Sequence, residues 1–223
     1  MSRPSGMIAA LLMLAFAGVL TCSAGDKALV LPSPAMDTTI TAGKAEQTMV
    51  VAGGCFWGIQ AVFQHVKGVT NATSGYSGGS AKNAEYELVS TGETGHAESV
   101  KVTYDPSQIT YGQLLRVFFA VAHDPTQLNR QGPDSGSQYR SAIFYNSDEQ
   151  KRIADTYVVQ LDKAGVFPRP IVTQVVPLTA FYPAEAYHQD YAAHHPDDLY
   201  VVYNDAPKVT HLRQEFPELY TGK

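Results

Sequence analysis

The stretch Gly53-Gly54-Cys55-Phe56-Trp57-Gly58 constrains this chain more than any other. The apolar run Met49-Val50-Val51-Ala52 ends in the two glycines, and beyond them Phe56, Ile59, Val62, Phe63 and Val66 share one stripe at helical spacing. This pattern predicts a buried strand, a tight turn and a helix, with Cys55 at or near the helix N-terminus. The first turn of a helix carries unpaired N–H groups and the positive end of the dipole. A thiol placed there is expected to lose its proton more easily, and the thiolate is the nucleophile. Trp57, the single tryptophan, lies off the stripe beside Gln60, Ala61 and Gln64, where it is expected to line a pocket. A lone cysteine is often no more than a small buried hydrophobe. The double glycine, which admits a ligand or another backbone, and the adjacent aromatic rings favour a reactive one.

With 223 residues, 44% hydrophobic and 17% charged, the chain suits one globular domain with extensions. A net charge of -5 argues against nucleic-acid binding, which leaves a basic footprint. Arg3, the apolar run Met7 to Leu20 and the small residues Thr21 to Ala24 read as a secretory leader over residues 1–24, too short for a comfortable membrane span. Cleavage after Ala24 is the favoured reading. A lipoprotein signal with Cys22 lipidated is the second, although Thr21 is larger than the usual residue there, and an uncleaved anchor is the third. The first two place the protein in an exported, periplasmic compartment, soluble or lipid-anchored, with Cys55 as the one working thiol and no internal structural disulfide. Residues 25–46 lack sustained periodicity and read as a linker or loosely packed arm, leaving 47–223 as the working domain.

Within that domain the pattern predicts strands at 47–52, 69–78, 96–104, 139–145 and 171–176. Helices are expected at 55–66, 83–90, from Thr110 to Ala122 and from Ser147 to about Gly165, the last two opened by Thr/Gln and Ser/Gln capping boxes. Beyond Pro183 the chain is rich in Tyr, His and Pro and reads as a short helical piece and coil. Strand, helix, strand, strand, helix, strand is the order of an α+β, ferredoxin-like split βαβ sandwich, here with an extra helix, an extra strand and a long coil-rich C-terminal tail.

Period-2 alternation puts Glu98 on the face of Val100, Val102 and Tyr104. A carboxyl buried there has a raised pKa and suits a general acid. The competing reading is a Glu at the strand edge, reaching solvent or pairing with Lys101. Tyr86, Asp134 and Tyr139 sit on loops or strand starts and could hold a polar oxygen, or simply be satisfied structural residues. His96 and His123 invite a Cys–His hydrolase reading, but nothing in their spacing places either beside Cys55. His188, His194 and His195 lack metal-ligand spacing and fit hydrogen-bonding roles in a polar coil, so no metal is expected.

Gly54-Cys55-Phe56-Trp57-Gly58 and Thr94-Gly95-His96-Ala97-Glu98 together resemble the peptide methionine sulfoxide reductase A family. Further matches follow in the family's order at Gly75 to Gly79, His123 to Thr126, Asn129 to Asp134, Gln138 to Ser141 and Phe181 to Gln189. The resemblance implies reduction of the S epimer of methionine sulfoxide, free or in proteins. It implies Cys55 as nucleophile, Glu98 as the acid that protonates the sulfoxide oxygen, and Tyr86 and Tyr139 as hydroxyls that hold that oxygen. Asp134 would support the site through water, and Phe56 and Trp57 would wall the methyl pocket. Many members carry resolving cysteines in the tail, whereas no cysteine follows Cys55 here. A Cys55 sulfenic acid would therefore be regenerated by an external thiol: thioredoxin-like, glutathione-type, or dithiothreitol in vitro. No bound cofactor is expected, and a monomer is. The alternatives are a Cys–His thiol hydrolase and a non-catalytic module that binds oxidised methionine.

Overall fold

A computed structural model of the protein describes residues 31–43 and 45–222. The leader expected over residues 1–24 lies outside the described residues. The chain runs β1 (Gln47–Ala52), α1 (Phe56–Gln64), β2 (Val69–Ser77), α2 (Tyr86–Val89), β3 (Ala97–Tyr104), α3 (Tyr111–Val117), β4 (Arg130–Gln131), β5 (Asp134–Ser135), β6 (Ala142–Tyr145), α4 (Asp148–Ala164), β7 (Gln174–Pro177), β8 (Phe181–Pro183), α5 (Tyr191–His194) and α6 (Ala206–Glu215). The main sheet has the order β7-β6-β1-β3-β2-β8. Its inner four strands, β6-β1-β3-β2, pair antiparallel throughout, and each helical crossover skips one strand. This is the split βαβ arrangement expected from the element order. β7 adds parallel to β6 at one edge, and β8 adds antiparallel to β2 at the other.

The alternation along β1 explains why its sequence is apolar without a break. Met49 and Val51 join Val100, Val102, Ile143 and the helix residues Ile59, Phe63 and Leu114 in the main core. Val50 and Ala52 face the other way and meet Ala97, Ala142 and Phe144. A strand covered on both faces has no polar side to show. β1 therefore ends, at Gly53, in the interior, and whatever follows is delivered to a buried position.

The helix ends follow capping chemistry. Thr110 Oγ1 accepts from the N–H of Gln113 at 3.1 Å, and Gln113 Oε1 accepts from the N–H of Thr110 at 3.0 Å, closing a capping box. Ser147 makes the corresponding bond from Gln150 N at 3.2 Å, but Gln150 Oε1 takes the N–H of Asn146 instead. From α3 the chain continues through a π-helical turn, Phe118–Ala122, so the helical stretch ends where the pattern places it.

Two segments are more ordered than sequence patterning suggests. Residues 31–43 form a strap along α3 and α4. Leu31 is buried, Arg116 Nε donates to Leu31 O at 2.9 Å, and Tyr157 Oη donates to Pro32 O at 2.9 Å. The Asp37 carboxylate accepts from Gly112 N at 2.7 Å and Thr110 Oγ1 at 2.5 Å, serving the unpaired N–H groups at the start of α3. In the coil-rich tail, α6 forms behind Pro207, a residue suited to a first helical turn.

Candidate active site

The turn between β1 and α1 is shaped by what packs on its glycines. A Cβ on Gly53 would lie 2.7 Å from the His123 ring, and one on Gly54, at φ +99°, would lie 2.6 Å from the Gln131 side chain. With these neighbours in place the chain turns sharply and sets Cys55 as the N-cap of α1. Glu98, near the start of β3, points inward as the alternation suggests, only 2% exposed. Its Oε2 accepts from the N–H of Phe56 at 3.1 Å, so the carboxyl is fastened to the peptide that follows Cys55.

Cys55, Phe56, Trp57, Tyr86, Glu98, Asp134 and Tyr139 all line one cleft of about 340 Å³. Tyr191, Asp198 and Tyr200 complete its wall. Neighbouring side chains hold these parts in register. Arg140 donates from Nη1 to His96 O at 3.1 Å and from Nη2 to Gly95 O at 2.9 Å, tying the Tyr139 turn to the entry of β3. Gln138 Nε2 donates to Ser90 O at 3.0 Å, and Ser137 Oγ donates to Gly92 O, tying the same turn to the loop after Tyr86. Glu185 accepts from Tyr86 N and from Tyr76 Oη, both at 2.8 Å, fixing the other end of α2.

The tail closes the aromatic side. The Trp57 ring stacks on Tyr191 with centroids 3.7 Å apart and planes 10° off parallel. Trp57 Nε1–H donates to His188 Nδ1 at 3.2 Å, so the proton of this imidazole sits on Nε2. Tyr200 Oη donates to Asp134 Oδ2 in a short bond that joins the tail to β5. His188, which the sequence suggests as a hydrogen-bonding residue of a polar coil, makes such a bond to Trp57, whereas Tyr191, Asp198 and Tyr200 carry no local motif. The one signal was the density of Tyr and His after Pro183.

Electrostatics separate the two central groups from ordinary surface residues. Burial raises the Glu98 pKa to about 8; the Phe56 N–H bond opposes this, and the charges of Asp134 and Asp205 add to it. The carboxyl is therefore largely protonated at neutral pH. The Cys55 thiol departs from expectation. Burial, then the carboxylates Glu98 and Asp205, push its pKa well up, and the N–H of Trp57 in the first turn and Lys208 only partly offset them. The helix N-terminus acts as supposed, but desolvation of a thiolate that is 8% exposed outweighs it. Tyr86 and Tyr139 are also shifted up, by burial first and the Glu98 charge second, so both remain hydroxyl donors at neutral pH.

The histidines of the hydrolase reading are occupied elsewhere. His96 Nδ1 accepts from Gly79 N at 3.2 Å, and Nε2 lies 3.0 Å from Ser80 O. His123 packs against Gly53, closer to Cys55 than its spacing reveals. Its Nδ1 donates to Phe118 O at 3.1 Å, because a carbonyl can only accept, which leaves Nε2 to accept from Ser141 Oγ at 2.7 Å. Burial lowers the His123 pKa to about 4, so it is neutral and has no free nitrogen for a thiol.

Comparison with known proteins points to one family. The family model described as peptide methionine sulfoxide reductase matches residues 47–220. The chain is similar to peptide methionine sulfoxide reductase MsrA 2 of Mesorhizobium japonicum, 61% identical over 82% of this chain and 93% of the relative. It is also similar to MsrA 2 of Synechocystis, 48% identical over 85% of this chain and 89% of that one. Among solved structures it resembles reduced Mxr1 of Saccharomyces cerevisiae, with a TM-score of 0.62 and 32% identity over 73% of this chain and 92% of that one. It likewise resembles methionine sulfoxide reductase A of Corynebacterium diphtheriae, with a TM-score of 0.59 and 34% identity over 75% and 91% of the two chains. A glycine-delimited cysteine, a buried acid fastened beside it and an aromatic wall thus accompany sequence identity along nearly the whole working domain, and the chain belongs to the peptide methionine sulfoxide reductase family, oxidoreductases of the MsrA type.

Proposed function

We propose that the protein reduces the S epimer of methionine sulfoxide, in oxidised proteins and peptides and as the free amino acid, through a Cys55 sulfenic acid. The observation that carries this reading is the placement of Cys55 and Glu98 on one small cleft, with Glu98 hydrogen-bonded to the N–H next to Cys55. Phe56 and Trp57 offer an apolar wall for the substrate methyl group, and Tyr86 and Tyr139 offer hydroxyls to the sulfoxide oxygen. Asp134, held by Tyr200, supports that polar side.

A sulfoxide sulfur accepts a nucleophile readily only when its oxygen is protonated. Glu98, protonated at neutral pH, gives its proton to that oxygen. Cys55 Sγ attacks the sulfur, and the thiol proton passes to the carboxylate just formed. The oxygen then transfers to Cys55, releasing the thioether as methionine and leaving Cys55 as S–OH. Two external thiols complete the cycle. The first displaces water to form a mixed disulfide with Cys55, and the second releases Cys55 as a thiol with formation of the external disulfide. No cysteine follows Cys55 in the sequence, so the reductant is external: thioredoxin-like or glutathione-type in the cell, dithiothreitol in the assay.

Export to the periplasm is part of the proposal, resting on the sequence of residues 1–24. The intact mass of the exported protein tests it. A start at Gly25 means a soluble form, a diacylglycerol mass on Cys22 means a lipoprotein, and retention in the cytoplasm refutes it. The activity is tested by incubation with S- and R-methionine sulfoxide and dithiothreitol. Turnover of the S form alone is expected and must vanish in Cys55→Ser. Failure with both epimers sinks the proposal, and binding without turnover would mark a recognition module.

A further inference from the structure

The segment that carries Tyr200 into the cleft continues to a second position behind the catalytic turn. The π-helical turn Val201–Asp205 leads directly into α6, and Asp205 is wholly buried. Its Oδ1 faces Lys208 Nζ at 3.3 Å, one helical turn on, while its Oδ2 is buried with no hydrogen-bond partner. Both charged groups rest on Gly58. A Cβ there would collide with Asp205 Oδ1 and would lie 2.6 Å from Lys208 Nζ. Gly58 is the third residue of the helix that Cys55 caps. In that geometry the side chain of the cap faces the second and third N–H groups of the helix, so the ion pair flanks the turn on which the thiol sits.

We propose that Asp205 and Lys208 are positioning residues for Cys55: a buried ion pair, seated on Gly58 by α6, that sets the local charge at the thiol and so its readiness to ionise. This rests on Cys55 being the nucleophile proposed above. A carboxylate with one unpaired oxygen is a costly group to bury, since desolvation opposes its charge. Packing alone would be served by an apolar pair of the same size. The pair is close enough to be felt at the thiol, where Asp205 acts to raise the pKa and Lys208 to lower it. The other titratable groups around the thiol are Glu98 from β3, Asp134 from β5, and Asp198 and the phenols Tyr86, Tyr139, Tyr191 and Tyr200 from the cleft wall. Asp205 and Lys208 differ from these in lying behind the turn, outside the substrate space.

The test measures the rate at which iodoacetamide alkylates Cys55 from pH 6 to pH 10, read by mass on the Cys55 peptide so that Cys22 does not interfere. No sulfoxide is present, so the result stands whether or not the proposed reductase activity does. Asp205→Asn keeps the shape and removes a negative charge, and the thiol titration should move to lower pH, with alkylation at pH 7 faster by about three- to tenfold. Lys208→Gln removes the positive charge and should move it to higher pH, with alkylation slower by about as much. Opposite shifts are the signature, because a purely structural pair would move both variants the same way. Unchanged profiles, or shifts of the same sign, overturn the proposal. Should the Asn variant fail to fold, Lys208→Gln alone decides, since its side chain reaches solvent.

Discussion

Phe56 gives its backbone N–H to Glu98 Oε2 at 3.1 Å, and this bond couples the acid to the first turn of the helix that Cys55 caps. Because a peptide N–H is the donor, the carboxyl keeps its place whether or not it carries a proton. Orientation and proton donation can therefore be separated by substitution. In Glu98→Gln an amide oxygen can still accept from Phe56, while the acidic proton is gone. We expect the fold to persist and single-turnover sulfenic acid formation to slow by about 10²- to 10⁴-fold. Quenched-flow mass measurement of Cys55–SOH checks this, and a normal rate would falsify the general-acid role. In the wild type the proton-donor contribution should decline as pH rises through about 8, and the variant should lack that decline.

The same group leaves a mark on stability. Glu98 is raised to about 8 in the folded protein, from the 4.5 of an ordinary glutamate. Between those values the folded state holds a proton that the unfolded state has lost. Its contribution is thus complete below the unfolded pKa and is lost as pH rises through the folded one. His123 works in the opposite sense. Lowered to about 4 from 6.5, it contributes fully above pH 6.5 and less as pH falls toward 4. Thermal melts of wild type and Glu98→Gln from pH 4 to 9 should differ by a stability term that falls with pH across about 4.5 to 8. With that term removed, the variant should gain stability more steeply from pH 4 to 6.5. Parallel curves would rule out the raised Glu98 pKa.

Tyr200 reaches Asp134 across 66 residues of sequence, the link between tail and β5. Tyr200→Phe keeps the ring against Trp57 and removes the hydroxyl. Loss of a hydrogen bond to a charged group is expected to lower kcat/KM for S-methionine sulfoxide by about tenfold, with a melting temperature close to wild type. Steady-state kinetics beside a melt check this, and unchanged kinetics would show that Asp134 needs no support from the tail.

Gly53 is predicted to tolerate no side chain. Gly53→Ala drives a methyl group into the His123 ring, whose nitrogens are already committed to Phe118 and Ser141. The cost should be about 1–3 kcal/mol of stability, seen in denaturant melts with an unchanged slope. A variant as stable as wild type would mean that the β1–α1 turn shifts freely.

The strand-turn-helix around Cys55 and the inward Glu98 were legible in the sequence because both follow short-range periodicity. Met49 to Ala52 is apolar without interruption, and Glu98 alternates with Val100 and Val102. The element order carried the sheet topology for the same reason. Contributions from the tail were not legible. Tyr191 and Tyr200 reach Trp57 from more than 130 residues away, off short or π-helical pieces with no repeating pattern, and only the assembled fold brings them in. The strap at residues 31–43 was hidden likewise, since it is held by side chains of α3 and α4 and not by its own periodicity. For Cys55 the sequence locates the helix N-terminus but not the depth of burial, and burial decides the direction of its pKa.

The chain has one tryptophan, and that indole lies flat on Tyr191 with its N–H lent to His188, inside the cleft. Light absorbed by the protein's sole indole is therefore emitted from the wall of the cleft that holds Cys55 and from nowhere else. Occupancy of the notch, or a change in the oxidation state of the neighbouring sulfur, alters the surroundings of that single emitter. The molecule thus carries its own optical gauge, readable in real time without a label.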